Sequence, residues 1–273
     1  MKGALKNLSQ FFFKRFIKIN KKVRIIISTA VMSFIMLSST FFFFDKAWFF
    51  IVFFIVLVYF LTYFSLLEGI EKIEWLTLFF MPIIFTISCY LFFFLFPVRW
   101  LSRLPFIVFY TVSIYGLLRT LNIFNVGVEK NLQLYRAAFS INYLFQTITL
   151  FFLSNFLFSL KLDPLSNGGL IFIIVLLLSI NIFWSVKLDL KFNKGIIKYG
   201  LLVAIVLAEE TISFSFFSFE TSILALLSTV TYYSLTGLTY AFLDERFFKE
   251  IIREYLIILF FVFLISFITL IRW

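Results

Sequence analysis

The chain has 273 residues, of which 63% are hydrophobic and 14% are charged, and its formal net charge at pH 7 is +10. Soluble domains are about 45–50% apolar and about 25% charged, so this composition excludes a sizeable water-soluble domain and indicates a membrane protein. The lack of histidine excludes imidazole-based triads, metal ligation and proton relays, and the single cysteine, Cys89, excludes an intrachain disulfide. We therefore expect no cofactor and no metal site.

The N-terminal segment, residues 1–24, is strongly basic and precedes a single predicted transmembrane domain, residues 25–273. It holds eight of the 24 basic residues, and no acidic residue occurs before Asp45. A basic segment beside an apolar span indicates a cytoplasmic N-terminus and attraction to anionic lipids, and we expect no nucleic-acid binding. Apolar residues spaced by three and four over 4–22 predict an interfacial helix, with a flexible basic tail as the alternative.

Nine apolar segments of about 18–24 residues follow one another along the chain. A helix rises 1.5 Å per residue, so about 20 residues cross a hydrocarbon core about 30 Å thick. Because lipid offers no partner to backbone polar groups, the sequence predicts an all-α polytopic membrane bundle of about nine helices. The predicted spans are 25–44, 48–67, 76–96, 104–121, 137–160, 168–187, 196–218, 221–243 and 255–272.

The distribution of basic residues predicts the topology. With a cytoplasmic N-terminus and nine spans, 19 basic residues lie on the inner side and five on the outer side. This asymmetry favours a cytoplasmic N-terminus and an odd number of spans. We expect the protein to lie in the plasma or inner membrane. The first span, 25–44, is longer than the apolar core of a signal peptide, which is about 7–15 residues, and we interpret it as an uncleaved anchor.

Several local patterns bear on helix packing. The chain has no G-x-x-x-G sequence, so close backbone packing of that type is not indicated. Gln146 in the fifth span and Asn181 in the sixth belong to short polar stripes that suit hydrogen bonds between helices. The mixed-charge stretch 244–254 predicts a short solvated helix with pairs at i, i+4.

Two adjacent carboxylates, Glu209 and Glu210, lie near the middle of the seventh span. About ten residues separate them from the turn at 219–220, which is about 15 Å along a helix. A charge at this depth costs on the order of 3 kcal/mol, so at least one carboxylate is expected to be protonated, paired or in contact with water. Ionisable groups at this depth usually mark function, and a hydrogen bond to a neighbouring helix is the structural alternative.

The eighth span carries a hydroxyl stripe next to these acids. The short turn at 219–220 predicts antiparallel neighbours, with residues whose numbers sum to about 439 at equal depth. Along one face of the eighth span lie Ser222, Thr229, Tyr233, Thr236 and Tyr240. The stripe can serve as a proton path, a substrate groove or interhelical adhesion. The predicted proton or substrate site consists of Glu209, Glu210, Ser213, Thr229, Tyr233, Thr236 and Tyr240.

The paired glutamates resemble the start of the signature of the glutamate-type intramembrane proteases of the CAAX-processing class. That signature continues with an arginine four residues after the glutamate pair, and the family places histidines on later helices. Here Phe214 holds the arginine position and the chain has no histidine. The likeness therefore covers two residues, and we infer no membership of that class.

Three functions fit these features. The leading one is a proton-linked transporter of a small solute that uses Glu209 or Glu210. A lipid-active intramembrane enzyme, with one glutamate as general base and Tyr233 or Tyr240 as proton donor, is less favoured. A non-catalytic scaffold or assembly partner is the third. A continuous aqueous route to Glu209 or Glu210 favours transport, a lateral groove favours lipid chemistry, and a sealed hydrogen-bonded pair favours the scaffold. The sequence does not fix the substrate or the oligomeric state.

Overall fold

The computed structural model describes residues 19–42, 46–67, 75–97, 99–125, 132–187, 194–217, 219–245 and 247–271. Over these ranges the chain forms nine α-helices and no strand. They are α1 (Lys21–Ser39), α2 (Ala47–Ser65), α3 (Trp75–Phe93), α4 (Trp100–Asn125), α5 (Leu132–Ser159), α6 (Pro164–Lys187), α7 (Lys194–Phe214), α8 (Thr221–Leu243) and α9 (Lys249–Ile271). The predicted interfacial helix at 4–22 lies almost entirely outside the described residues.

Six helices are long and apolar enough to cross a membrane: α1, α2, α4, α5, α6 and α9. Helix α3 contributes a shorter apolar stretch, Leu78–Phe93. Helices α7 and α8 have 21 and 23 residues, about 32 and 35 Å, so they match the hydrocarbon core in length. They are less apolar because α7 carries lysines and glutamates and α8 is rich in hydroxyl groups. The predicted all-α membrane bundle is confirmed, whereas the cytoplasmic N-terminus stays a prediction.

The helix bounds agree with the predicted spans except near charged connections. Helix α8 covers the predicted range 221–243, whereas α4 extends about four residues beyond both ends of 104–121. The short solvated helix predicted at 244–254 is not an element of its own: only residues 249–254 are helical, and they belong to α9. Asp244 caps α8, Glu245 adopts a left-handed backbone with φ of 58°, and α9 begins at Lys249. From Lys249 onward no turn interrupts the chain, so residues 249–254 form the first turns of α9.

The chain divides into two compact units, Met1–Ile141 and Asn142–Trp273, with the boundary inside α5. In the first unit, hydroxyl groups link neighbouring helices. The Thr111 hydroxyl donates to Ser33 Oγ at 2.8 Å, which joins α4 to α1. The Thr86 and Tyr110 hydroxyls lie 3.0 Å apart between α3 and α4. These bonds satisfy polar groups inside an apolar unit, as membrane helices require.

In the second unit, helices α6 and α7 pack closely through small residues. Gly200, Ala204 and Ala208 repeat at intervals of four along α7. A methyl group added at Gly200 would lie 3.2 Å from Ile180 Cγ1, and one added at Gly168 would lie 3.3 Å from the carbonyl oxygen of Ala208. The two helices therefore approach each other closely without a G-x-x-x-G sequence. Small residues spaced by four bring two helices together without a pair of glycines.

Candidate functional site

Helix α7 places its two glutamates in different surroundings. Its buried face includes Val203, Leu207 and Thr211, and its exposed face includes Leu202 and Ile205. Glu209 lies on the exposed face, whereas Glu210 lies at the edge of the buried face and is half-buried. Adjacent residues on a helix point about 100° apart, so only one of the two acids can enter the packed interface.

Glu210 joins α7 to α8. The Thr231 hydroxyl donates a hydrogen bond of 2.9 Å to Glu210 Oε1. Glu210 Oε2 is also buried, and it has no hydrogen-bond partner among the described residues. The numbers of the bonded pair sum to 441, close to the expected level of about 439. One carboxyl oxygen therefore accepts a hydrogen bond from the neighbouring helix, and the other is buried without a partner among the described residues.

Glu209 and Ser213 interact only through the backbone of α7. The Ser213 hydroxyl donates to the main-chain carbonyl oxygen of Glu209 at 2.7 Å. Both side chains are exposed. A serine that bonds back to the preceding turn satisfies its hydroxyl locally, so it leaves the Glu209 carboxylate without a contact from Ser213.

The predicted hydroxyl stripe of α8 faces helix α5 instead of the glutamates. The Thr236 hydroxyl lies 3.2 Å from the hydroxyl of Tyr143 on α5, and Tyr143 also donates to the main-chain carbonyl of Tyr233. The Tyr143 and Tyr233 rings stack with centroids 5.0 Å apart. Thr229 bonds to its own helix at Ala225, at 2.6 Å. Tyr233 lies two residues from Thr231, about 200° around the helix, so the stripe and Glu210 contact opposite faces of α8.

The remaining members of the stripe lie towards the ends of α8. Tyr240 is half-buried, and its hydroxyl donates to Asp244 at 3.5 Å. Ser222 is exposed in the first turn. Nine residues separate Tyr240 from Thr231, about 14 Å along the helix axis. The structure therefore brings neither residue to Glu210.

A chain of buried hydrogen bonds connects three helices of the second unit. The Tyr232 hydroxyl donates to Gln146 Oε1 at 2.9 Å, and Gln146 Nε2 donates to Asn181 Oδ1 at 2.7 Å. All three side chains are buried. The chain links α8, α5 and α6 and fixes the orientation of α8. The polar stripes on α5 and α6 were visible in the sequence, but Tyr232 lay outside the predicted α8 stripe.

Helix α9 packs against the stacked rings of Tyr143 and Tyr233. The Tyr255 ring lies 5.4 Å from the Tyr233 ring, centroid to centroid, and packs directly against Gly237 of α8. A methyl group at Gly237 would overlap this ring. Three tyrosines from α5, α8 and α9 therefore form one continuous aromatic contact. In the described part of the chain, no three His, Cys, Asp or Glu residues lie close enough together to hold a metal ion.

These helices define a polytopic membrane protein with a partly satisfied carboxyl group in a helix interface. Within that class, the chain belongs to the family described as Protein of unknown function (DUF5656), whose model matches residues 67–269. The matched range contains Glu209, Glu210 and Thr231 together with the polar chain around Gln146. Comparisons with curated proteins and with solved structures give no match.

Proposed function

We propose that this protein is a proton-linked transporter of a small solute, and that Glu210 binds and releases the proton. The observation that supports this proposal is that the two oxygens of the Glu210 carboxyl group have different surroundings. One oxygen accepts a hydrogen bond from Thr231, and the other is buried without a partner among the described residues. Buried polar atoms nearly always have a partner, so the bare oxygen requires a proton, a water molecule or a solute group.

Helix α8 provides a route from proton binding to solute binding. Its Thr231 face contacts Glu210, and its opposite face carries Tyr233 and Thr236 against α5. Protonation of Glu210 changes the hydrogen bond that Thr231 makes, because a carboxylate only accepts whereas a neutral carboxyl can also donate. A shift of α8 in response would alter the hydroxyl stripe at the same time. In this proposal the stripe is the solute-binding face.

The test is proton movement driven by solute in vesicles. Purified protein is reconstituted into liposomes that contain a pH-sensitive dye, and amino acids, sugars, nucleosides and small organic ions are added in turn under an imposed pH gradient. We expect at least one class to change the internal pH in wild-type vesicles. Glu210→Gln removes the titratable proton while keeping a similar shape, so it should abolish that change.

Glu209→Gln is the matched control, because it makes the same chemical change one residue away on the exposed face. It should retain solute-driven proton movement. Thr231→Val should reduce the movement without abolishing it, since it removes the hydrogen bond and leaves the carboxyl group. Normal movement in the Glu210→Gln protein would contradict the proposal, as would the absence of movement with every solute class.

A scaffold is the second candidate, and it is favoured both by the hydrogen bond between Glu210 and the neighbouring helix and by the polar chain through Gln146. Hydrogen bonds of Tyr232, Gln146 and Asn181 serve helix association without chemistry. If Glu210 also serves only to hold helices together, Glu210→Gln should behave like wild type, whereas Glu210→Leu should lower the yield of folded protein. The lipid-active enzyme is less favoured, because Tyr233 and Tyr240 lie away from the Glu210 face of α8.

A further inference from the structure

The exposed face of helix α7 differs from the exposed face of helix α9 because it includes a carboxyl group. On α9, the exposed positions between residues 256 and 268 are all leucine, isoleucine or phenylalanine, which lipid solvates well. On α7, Glu209 and Ser213 lie on the exposed face among apolar side chains. This face is therefore poorly suited to lipid alone and requires a polar partner.

The carboxyl group of Glu209 lies deep in the membrane region of α7. About ten residues separate it from the turn at 219–220, which is about 15 Å and close to half of a hydrocarbon core about 30 Å thick. Within the described residues its side chain forms no ion pair or hydrogen bond, and Ser213 bonds only to the main-chain oxygen of Glu209. A charge exposed to lipid at this depth is costly, whereas a neutral carboxyl group with a hydrogen-bond partner avoids most of that cost.

The exposed residues around Glu209 have the spacing of a seam between two parallel helices, which we call the α7 seam. Its members follow at intervals of four, three and four and are Leu202, Val206, Glu209 and Ser213. This heptad spacing places the four side chains on one line along the helix, as in the left-handed helix pairs that are common in membranes. Leu202 and Val206 are 52% and 37% exposed, so the seam is open in the single chain.

We propose that two copies of this chain form a symmetric dimer through the α7 seam, in which the two Glu209 carboxyl groups hydrogen-bond to each other. Both copies have the same orientation in the membrane, so the two-fold axis lies along the membrane normal and the two α7 helices are parallel. Each seam residue then faces its counterpart. A second copy fits this position because a neutral carboxyl group both donates and accepts, so two of them are complementary without a cation. The dimer leaves Glu210 between α7 and α8 of each copy and does not depend on the proposed function.

Cysteine cross-linking of the full-length protein in membranes tests which helix faces meet. Cys89 is the single cysteine and is buried, so Cys89→Ala gives a background without thiols. In that background Ser213→Cys should form a disulfide-linked dimer on oxidation, because the two thiols face each other across the axis. Leu264→Cys is the matched control on the exposed face of α9 and should give much less dimer. Equal yields from the two variants, or no dimer from Ser213→Cys, would overturn the proposal.

Energy transfer between donor-labelled and acceptor-labelled protein in liposomes, at decreasing protein-to-lipid ratios, measures the contribution of Glu209. A hydrogen bond between membrane helices changes affinity about threefold on average, so loss of the reciprocal pair in Glu209→Leu should weaken dimerisation roughly eightfold. Glu209→Gln should dimerise much like wild type, because an amide group also donates and accepts. Glu254→Leu removes an exposed carboxylate from α9 and should have no effect. Wild type that is monomeric at every ratio, or Glu209→Leu that dimerises as well as wild type, would contradict the proposal.

Discussion

Replacing Gln146 with leucine tests whether the buried polar chain fixes helix α8. The substitution removes the hydrogen bonds to Tyr232 and Asn181 and leaves the Tyr232 hydroxyl without this acceptor. Hydrogen bonds between membrane helices contribute about 0.6 kcal/mol on average and up to about 1.7 kcal/mol. For two bonds we expect a loss of about 1.2 kcal/mol in the free energy of unfolding, with an upper limit near 3.4 kcal/mol.

A double-mutant cycle isolates the contact itself. Tyr232→Phe removes the hydroxyl, so Gln146→Leu/Tyr232→Phe should cost less than the sum of the single changes, by about 0.6 kcal/mol or more. Asn155→Leu is the matched control, since Asn155 is a buried amide on the same helix. Unfolding is followed by titration with a denaturing detergent in mixed micelles. Additive single changes, together with equal losses for Gln146→Leu and Asn155→Leu, would refute this reasoning.

Two further predictions concern helix packing and capping. Gly200→Leu should destabilise the protein by about 1–3 kcal/mol, because a side chain at this position must displace Ile180. Gly169→Leu is the control and should be neutral, because Gly169 has open space around it. Thermal unfolding of the two variants measures the difference. Hydrogen bonds from the hydroxyl and the backbone N–H of Ser166 hold the pKa of Asp163 below its usual value. The ionised Asp163 therefore stabilises the fold at pH values above its usual pKa. This stabilisation is lost as the pH falls through the lowered pKa of the folded protein. Asp163→Asn, which still caps α6 but does not titrate, should weaken this acid dependence in unfolding curves recorded from pH 7 to pH 3, and an unchanged dependence would contradict it.

The helical membrane fold was predictable because it depends on segment length and apolarity. Those properties are local, so each predicted span overlaps one observed helix. Helix ends were mispredicted where charged residues are helical, as at the start of α9 at Lys249. A run of charged residues can either end a helix or form its first turn. The close packing of α6 and α7 also had a readable signal in Gly200, Ala204 and Ala208, which a search for paired glycines alone does not detect.

The site was harder to predict because the rotation of a helix about its axis is not a local property. Thr229, Tyr233 and Thr236 lie on one face of α8, as their spacing predicts, but the spacing does not show which neighbouring helix this face contacts. The chain from Tyr232 to Gln146 turns the stripe towards α5, which leaves Thr231 to meet Glu210. The depth of the contact followed from the short turn at 219–220, whereas the identity of the contacting residue depended on tertiary packing.

The most direct measurement of the role of Glu210 is infrared difference spectroscopy of the reconstituted protein between two pH values. A carboxyl group that gains or loses a proton changes its carbonyl stretching band. We predict a pH-dependent carboxylic-acid band that disappears in Glu210→Gln and persists in Glu209→Gln. Identical difference spectra for wild type and Glu210→Gln would show that Glu210 exchanges no proton and would contradict its proposed function.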